Sequence, residues 1–528
     1  MTTATQTPVR HLPARARRAV PLSAGRLLRL ELRRNTMPWI LPLIAVLFWF
    51  DSYRPSTGQP PLWALRTFWN MGQGHTIIDF GPFVAGVAAW VATRDARRGT
   101  GDLMTTAAWP RFAAQLAAWA ATAIWAVGAY LVFVGVMFGV YAHQGVEGAP
   151  PWWWVAVGAL AVTAFSAAGF AVGAFFPSRF AAPLAAFGGF LAMVTSSQTG
   201  FKDTSGWALI LPTNSNGNFQ PLSGIFYPYL PDLPIARLMF LAGIAIAALG
   251  VIGLPRRAGG PRLRRAAAIV TLAGVAAAGA AVGLASSARL GPHGMAIPAL
   301  HDAANDRPIT YTPVCGHAAG TPVCLNPAYR RYLPDMTFAL GPVLAEVAGL
   351  PGAPVRATQV SGTYSSGEGG GGNGQQWAVS GRPAVLRMVL DTLSTLPGSP
   401  GFSSASETTR QFAEQIRLLS VHAFVGAGNG AGTAAQQAVQ AALLQGAGVP
   451  FAAQPKAMAI AGVPSQAPAT GPAPGAGHGN GPGPGPATGP VYAAARRLAA
   501  LPAAARHAWL ASHLAALRSG RLSLAQLP

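Results

Sequence analysis

"AAQLAAWAATAIWAVGAYLVFVGVMFGVY" (Ala113–Tyr141) contains no Asp, Glu, Lys, Arg or His. As a helix it would rise about 43 Å at roughly 1.5 Å per residue, more than the roughly 30 Å hydrocarbon core of a bilayer. A helix this apolar has no polar face to offer water. The run therefore predicts a membrane-crossing helix, and the question is how many others accompany it.

Six further runs qualify, giving spans at about 36–53, 76–93, 113–141, 152–176, 180–197, 235–254 and 266–286. The first is short and reaches both interfaces only if Thr36 and Tyr53 lie there. The fourth opens on Trp152, Trp153 and Trp154, an aromatic anchor of the kind found at membrane interfaces. The fifth is short and carries Pro183, and the seventh is rich in Ala and Gly. The expected fold class is an α-helical polytopic membrane protein with about seven transmembrane helices. Composition agrees: 51% of the 528 residues are hydrophobic and only 10% are charged, against roughly 25% charged in soluble domains.

The net charge of +21 is almost wholly arginine, the two lysines being Lys202 and Lys456. With the N-terminus cytoplasmic, the arm, the 94–111 bend, Arg179 and the 256–265 bend place eighteen arginines inside, against Arg54, Arg66 and Lys202 outside. Reversal would invert that asymmetry, so the cations orient the chain in a cell membrane and are not assigned to nucleic acid. The partner they imply is the lipid bilayer. No cleavable apolar leader is expected in the basic arm.

Seven spans would put everything after about 289 outside. Cys315 and Cys324, in "PVCGHAAGTPVC", are expected to form a disulfide there, since that compartment is oxidising. Closing so short a loop contributes about 2.7 kcal/mol in the chain-entropy account. The expected domains are a basic cytoplasmic arm and amphipathic helix (1–35), a transmembrane domain (36–288), an extracytoplasmic mixed α+β domain (289–463), a Pro/Gly-rich linker (464–490) and a C-terminal helical segment (491–528), solvated on its own.

Chemistry is sparse. Asp51, Asp79 and Arg237 fall near span ends, where interfacial side chains are expected, and no series of buried ionisable groups offers a proton relay. Walker A, H-E-x-x-H and G-x-S-x-G motifs are missing. The glycines at 367, 369 and 372 match G-x-G-x-x-G only inside a low-complexity run, and His422 suits a packed core. No enzyme, no metal site and no cofactor is expected on this chain.

The charged bend "ATRDARRGTGDLMTTAAWPR" (Ala92–Arg111) interrupts two apolar runs. Gly99 permits a turn, Thr100 is a good N-cap, and Asp102 suits the positive end of a helix dipole. Leu103 and Met104 supply apolar contact surface, and Trp109-Pro110 breaks the chain again before the next span. Here the sequence resembles the membrane permease subunits of type-2 ABC transporters, which carry R/E-x-x-x-G-T-x-E-x-L-x-x-T-P at this place. Gly99 and Thr100 follow that pattern in register, with Asp102 for the usual Glu; Arg94, Leu103 and Thr106 each stand one place before their positions in it, and the Pro is displaced to Pro110. "GRLLRLELRRNTMPW" (25–39) resembles the family's interfacial elbow helix, with Arg26, Arg29 and Arg33 opposing Leu28 and Leu32; a merely solvated basic helix fits it equally. "PLSGIFYPYLPDLP" (221–234), with Ser223, Gly224 and Pro228, resembles the family's extracellular hairpin.

The resemblance covers roughly 23–255 and implies a permease, of an exporter-like system, without its own ATPase. Arg94, Arg97, Arg98, Gly99, Thr100, Asp102, Leu103, Met104 and Thr106 would form the coupling helix docked on a separate ABC ATPase, which holds the ATP-Mg. A second permease half, identical or not, would complete the transporter. "GFAVG" (Gly169–Gly173) could bring helices close within or between halves, or reflect simple Ala/Gly richness. The seventh span and the large exterior domain depart from the family pattern. The alternative is a membrane-anchored extracytoplasmic sensor or envelope-binding scaffold without transport activity.

Overall fold

The computed structural model describes residues 24–48, 75–99, 111–143, 145–199, 205–211, 224–255, 260–291, 294–361, 377–390, 405–427, 432–455 and 489–528. Its N-terminal half is a helix bundle: α1 (Ala24–Arg34), α2 (Met37–Phe48), α3 (His75–Ala92), the single turn α4 (Arg94–Arg97), α5 (Arg111–His143), α6 (Trp152–Phe175), α7 (Ala181–Thr199), the short α8 (Gly206–Ile210), α9 (Asp232–Ile252) and α10 (Pro261–Ser286). Helices α5, α6, α9 and α10 are long and apolar enough to cross a membrane. The apolar stretches of the helices at the other three expected spans, Met37–Phe48, Phe80–Ala92 and Ala181–Thr195, are shorter. The outer surface needs an apolar solvent: Val132 and Val136 on α5, Leu184 and Phe187 on α7, and Leu272 and Val275 on α10 are all exposed. This is the construction of a helical membrane protein.

Glycines set the helix spacing. A Cβ on Gly169 or Gly173 would strike the α3 backbone at Ala85 and Ala89, so these two positions, one turn apart, let α6 lie directly against α3. The GFAVG motif thus serves a contact within the chain. Gly243 and Gly250 of α9 meet Gly274, Ala278 and Thr271 of α10 in the same way.

Arg237 differs from expectation. It is buried, and its Nε donates to the Leu209 carbonyl at 3.0 Å. The reason is α8, which lies across this end of α9; Ser205 caps it through the Ala208 amide, and Gly206 packs on Ser286. The side chain that would have met the interface is roofed over.

The C-terminal half opens on the ribbon β1 (Arg289–Gly291) and β2 (Gly294–Ala296). A five-stranded mixed sheet follows, ordered β3-β4-β5-β7-β6, from β3 (Val314–Ala318), β4 (Thr321–Leu325), β5 (Arg356–Gln359), β6 (Ala378–Ser380) and β7 (Val385–Met388). β3 and β4 are joined by Ala319-Gly320, both with positive φ, as a two-residue hairpin turn demands. That turn sets Cys315 opposite Cys324, and the two are disulfide-bonded. The sheet packs with α11 (Leu333–Val347), α12 (Ala405–Val425), α13 (Ala434–Gly446), α14 (Pro490–Ala500) and α15 (Ala503–Arg518).

The last two helices are not a solvated appendage. Leu510, Leu514 and Leu517 recur on one face of α15 and are buried in the same core as α12 and α13, together with Ala494, Ala495 and Leu498 of α14. Gln436 donates to the Leu517 carbonyl at 3.0 Å, and Arg506 pairs with Glu346 of α11 at 2.6 Å. The compact domain therefore includes the chain's end. Core membership also extends backwards: Ile225 and Phe226, from the segment before α9, belong to it.

Candidate functional site

Of the expected docking residues, Thr100, Asp102, Leu103, Met104 and Thr106 lie outside the described residues, and Arg94, Arg97, Arg98 and Gly99 lie within them. Gly99 turns the chain with φ 65°, and nothing lies within 4 Å of where its Cβ would be. Arg98 and Gly99 are exposed. Arg94 and Arg97 are engaged.

Arg94 grips Glu31 of α1 with both arms of its guanidinium, Nη1 to Oε2 at 2.9 Å and Nη2 to Oε1 at 3.0 Å. Glu31 is the one buried residue of α1, and Asp95 stands 3.7 Å from Arg94 Nε. The hydrogen bonds it donates to Glu31 push the Arg94 guanidinium above its ordinary value, against the opposing effect of burial. Arg97 folds back over Trp90, 3.2 Å from the ring centroid, and caps α3 by donating to the Trp90 carbonyl at 2.8 Å. Burial, and secondarily Arg98, push its guanidinium down.

On its other flank α1 is stapled to α5. Asn35 accepts from the Met37 amide at 2.9 Å and donates to Thr122 Oγ1 at 2.9 Å, and Thr122 in turn donates to Ala118 O at 3.0 Å. Trp125 Nε1 donates to the Leu32 carbonyl at 3.0 Å. The helix that precedes the first apolar run is thus tied to both chain segments that flank residues 100–110. Gly253, at the end of α9, lies against Phe112, so α9 finishes at this same end of the bundle.

Glu31, Asn35, Thr122 and Trp125 are residues that sequence reasoning missed. A signal existed for one of them. Glu31 is the only carboxylate among the first 50 residues, set inside "RLLRLELRR". The apolar side of α1 was legible in part, since Leu28 and Leu32 are half-buried and Arg26, Arg29 and Arg33 exposed.

A second polar cluster sits at the opposite end of α9, beside the C-terminal domain. Ser223 lies outside the described residues. Gly224 has φ 60° and abuts the Tyr229 ring, so the left-handed turn and the close approach both require glycine. Phe226 accepts from the Ile309 amide at 2.8 Å and meets the Tyr311 ring edge-on at 5.6 Å; Pro228 follows, half-buried. Asp232, fully buried at the start of α9, accepts from the Ile297 amide at 2.9 Å and contacts His301 Nδ1 at 3.1 Å, while His301 Nε2 meets Asp306 at 3.1 Å. His422, by contrast, packs in the domain core on Gln440 at 3.0 Å.

The hydrogen bond to Asp306, then that to Asp232, raises the His301 imidazole above its ordinary value despite some desolvation. A raised folded value means that the stabilisation is complete below the unfolded value of about 6.5 and is lost as pH rises through the folded value. Thermal melting of the solubilised chain is accordingly expected to weaken from about pH 6.5 upward, with that slope flattened in His301→Asn; parallel wild-type and variant pH profiles would show that His301 does not set this dependence.

Among the described residues no group of three or more His, Cys, Asp or Glu is arranged to hold a metal ion. No protein-family model, no curated protein and no solved structure matches the chain.

Proposed function

We propose that the chain is the permease subunit of an ATP-driven ABC-type transporter, of the exporter-like kind, with residues 94–111 coupling it to a separate ATPase. One observation carries the reading. The segment whose sequence resembles a coupling helix is bracketed by two anchorages to a single lateral helix: Glu31–Arg94 before it, and Asn35–Thr122 with Leu32–Trp125 after it. A push delivered at 100–110 would move α1, α3 and α5 together instead of bending one loop. That is what a permease driven by a separate ATPase needs in order to receive work from it.

In this reading all seven apolar helices cross the cell membrane, the N-terminus and the arginine-rich bends face the cytoplasm, and the C-terminal domain lies outside. ATP-Mg is held by the partner, and two permease halves, identical or not, enclose the path. The sensor or scaffold alternative draws on Phe226, which joins the segment before α9 to the core of the C-terminal domain and so gives a ligand there a mechanical route to the bundle.

The test is a double substitution, Thr100→Asp with Leu103→Asp, in tagged full-length chain purified from its native membrane. Wild type is expected to co-elute with an ABC ATPase and its ATP hydrolysis. The variant should recover at least about tenfold less ATPase at unchanged melting temperature, since buried unpaired carboxylates oppose docking. Equal recovery from both would defeat the docking assignment, and an ATPase missing from both would favour the sensor reading.

A further inference from the structure

The C-terminal domain holds an open cavity of 570 Å³, well inside the range of about 300–1,000 Å³ typical of small-molecule sites. Three separate chain segments frame it: the turn after α11 at 351–355, the β6–β7 connection at 379–384, and the last turns of α15. The first two are joined by the Val355 amide donating to the Ala384 carbonyl at 2.9 Å. Val355, Val379 and Leu514 give the cavity apolar walls.

Its charged groups are all of one sign. Arg518 and Arg382 line it, and no carboxylate does. Arg518 is half-buried and fixed: Nε donates to the Phe424 carbonyl at 2.8 Å, Nη2 to the Gly352 carbonyl at 3.3 Å, and the guanidinium carbon lies 4.5 Å over the Phe424 ring. Gly352 has φ 71°, and a Cβ there would stand 2.5 Å from Arg518 Nη1, so the missing side chain leaves the guanidinium its place. Among the described residues Arg518 has no ion-pair partner, and burial pushes its value down, the mark of a cation stripped of water without an anion in return. Arg382 stands exposed at the rim.

We propose that this cavity binds a small organic anion: a carboxylate held by the Nη1 edge of Arg518 and by Arg382, with a compact apolar body against Val355, Val379 and Leu514. Arginine suits the role because its planar fork matches a carboxylate and stays charged when partly buried. The apolar walls give an inorganic anion little to gain. The inference concerns a site remote from the α1 clamp and stands whichever way the permease reading is decided.

Isothermal titration of the full chain in maltoside micelles tests it, with phenylacetate, phenylacetamide and inorganic phosphate as probes. Phenylacetate is expected to bind, and phenylacetamide and phosphate each at least about tenfold more weakly, because each lacks one half of the recognition. Arg382→Ala should weaken phenylacetate several-fold at unchanged melting temperature, since Arg382 is exposed; Arg518→Lys should weaken it by more than about tenfold. Equal affinity for acid and amide, phosphate binding as tightly as phenylacetate, no measurable phenylacetate binding, or wild-type affinity in Arg382→Ala would each overturn the proposal. If Arg518→Lys fails to fold, the acid–amide comparison and Arg382→Ala still decide.

Discussion

Gly169→Leu is expected to yield no folded protein that elutes as a single species after solubilisation, and Gly169→Ala a folded but weakened one. A Cβ at Gly169 meets the Ala85 carbonyl oxygen and Cα, both backbone atoms of α3, so no rotamer change on the facing helix can relieve the clash. The helices must separate, and Gly173, one turn on, stands against Ala89 in the same way. Where van der Waals packing is a main source of helix association, separation forfeits contact along the whole crossing. An added methyl of this kind costs about 1–3 kcal/mol, and leucine several times that volume. Gly135 of α5 supplies the control, since nothing lies within 4 Å of its Cβ position. Gly135→Leu should leave elution profile and melting temperature near wild type. Indistinguishable behaviour of Gly169→Leu and Gly135→Leu would show that the α3–α6 contact does not hold the bundle.

The contrast between these glycines shows where sequence stops being informative. Apolar runs such as Ala113–Tyr141 and Trp152–Phe176 fix helices to within two residues, because a long uncharged segment has a single way to satisfy its backbone in lipid. Which glycines touch a neighbour is a property of the facing helix, and Gly135 and Gly169 look alike until α3 is in place. The Cys315–Cys324 bond was legible from the chain's two cysteines standing close together in a region read as exterior. The parallel pairings of β4 with β5 and of β5 with β7 were not, because each joins strands separated by a helix or another strand. The terminal pair α14 and α15 was misjudged for a related reason. Their leucines recur at helical spacing, but a Pro/Gly-rich stretch before them suggested detachment, and only their partners on α12 and α13 show the packing. At the candidate site, Arg94 was visible as a charge at the head of a motif. Its partner lies 63 residues away, and nothing local announces the pair.

That pair makes the sharper prediction. The two single substitutions should be unequal. Arg94→Ala strands Glu31, whose side chain is only 10% exposed, whereas Glu31→Ala leaves Arg94, 23% exposed, still within 3.7 Å of Asp95. Removing one partner of a fully buried pair costs about 3–5 kcal/mol. With the partial exposure here, about 2–4 kcal/mol is expected for Arg94→Ala and roughly half of that for Glu31→Ala. The exchange Glu31→Arg with Arg94→Glu should recover much of the loss, falling short where Asp95 then faces a carboxylate instead of a cation. Denaturation midpoints of the solubilised chain measure all three, and a double-mutant cycle with Ala at both positions isolates the coupling between the side chains. The same variants bear on coupling. If residues 100–110 drive the bundle through α1, Arg94→Ala should retain ATPase binding while losing most ATP-dependent transport, and the charge exchange should restore it. Full transport in Arg94→Ala at a lowered midpoint would reduce the clamp to a structural tie, and the path from the partner to the spans would have to run through α3 and α5 alone.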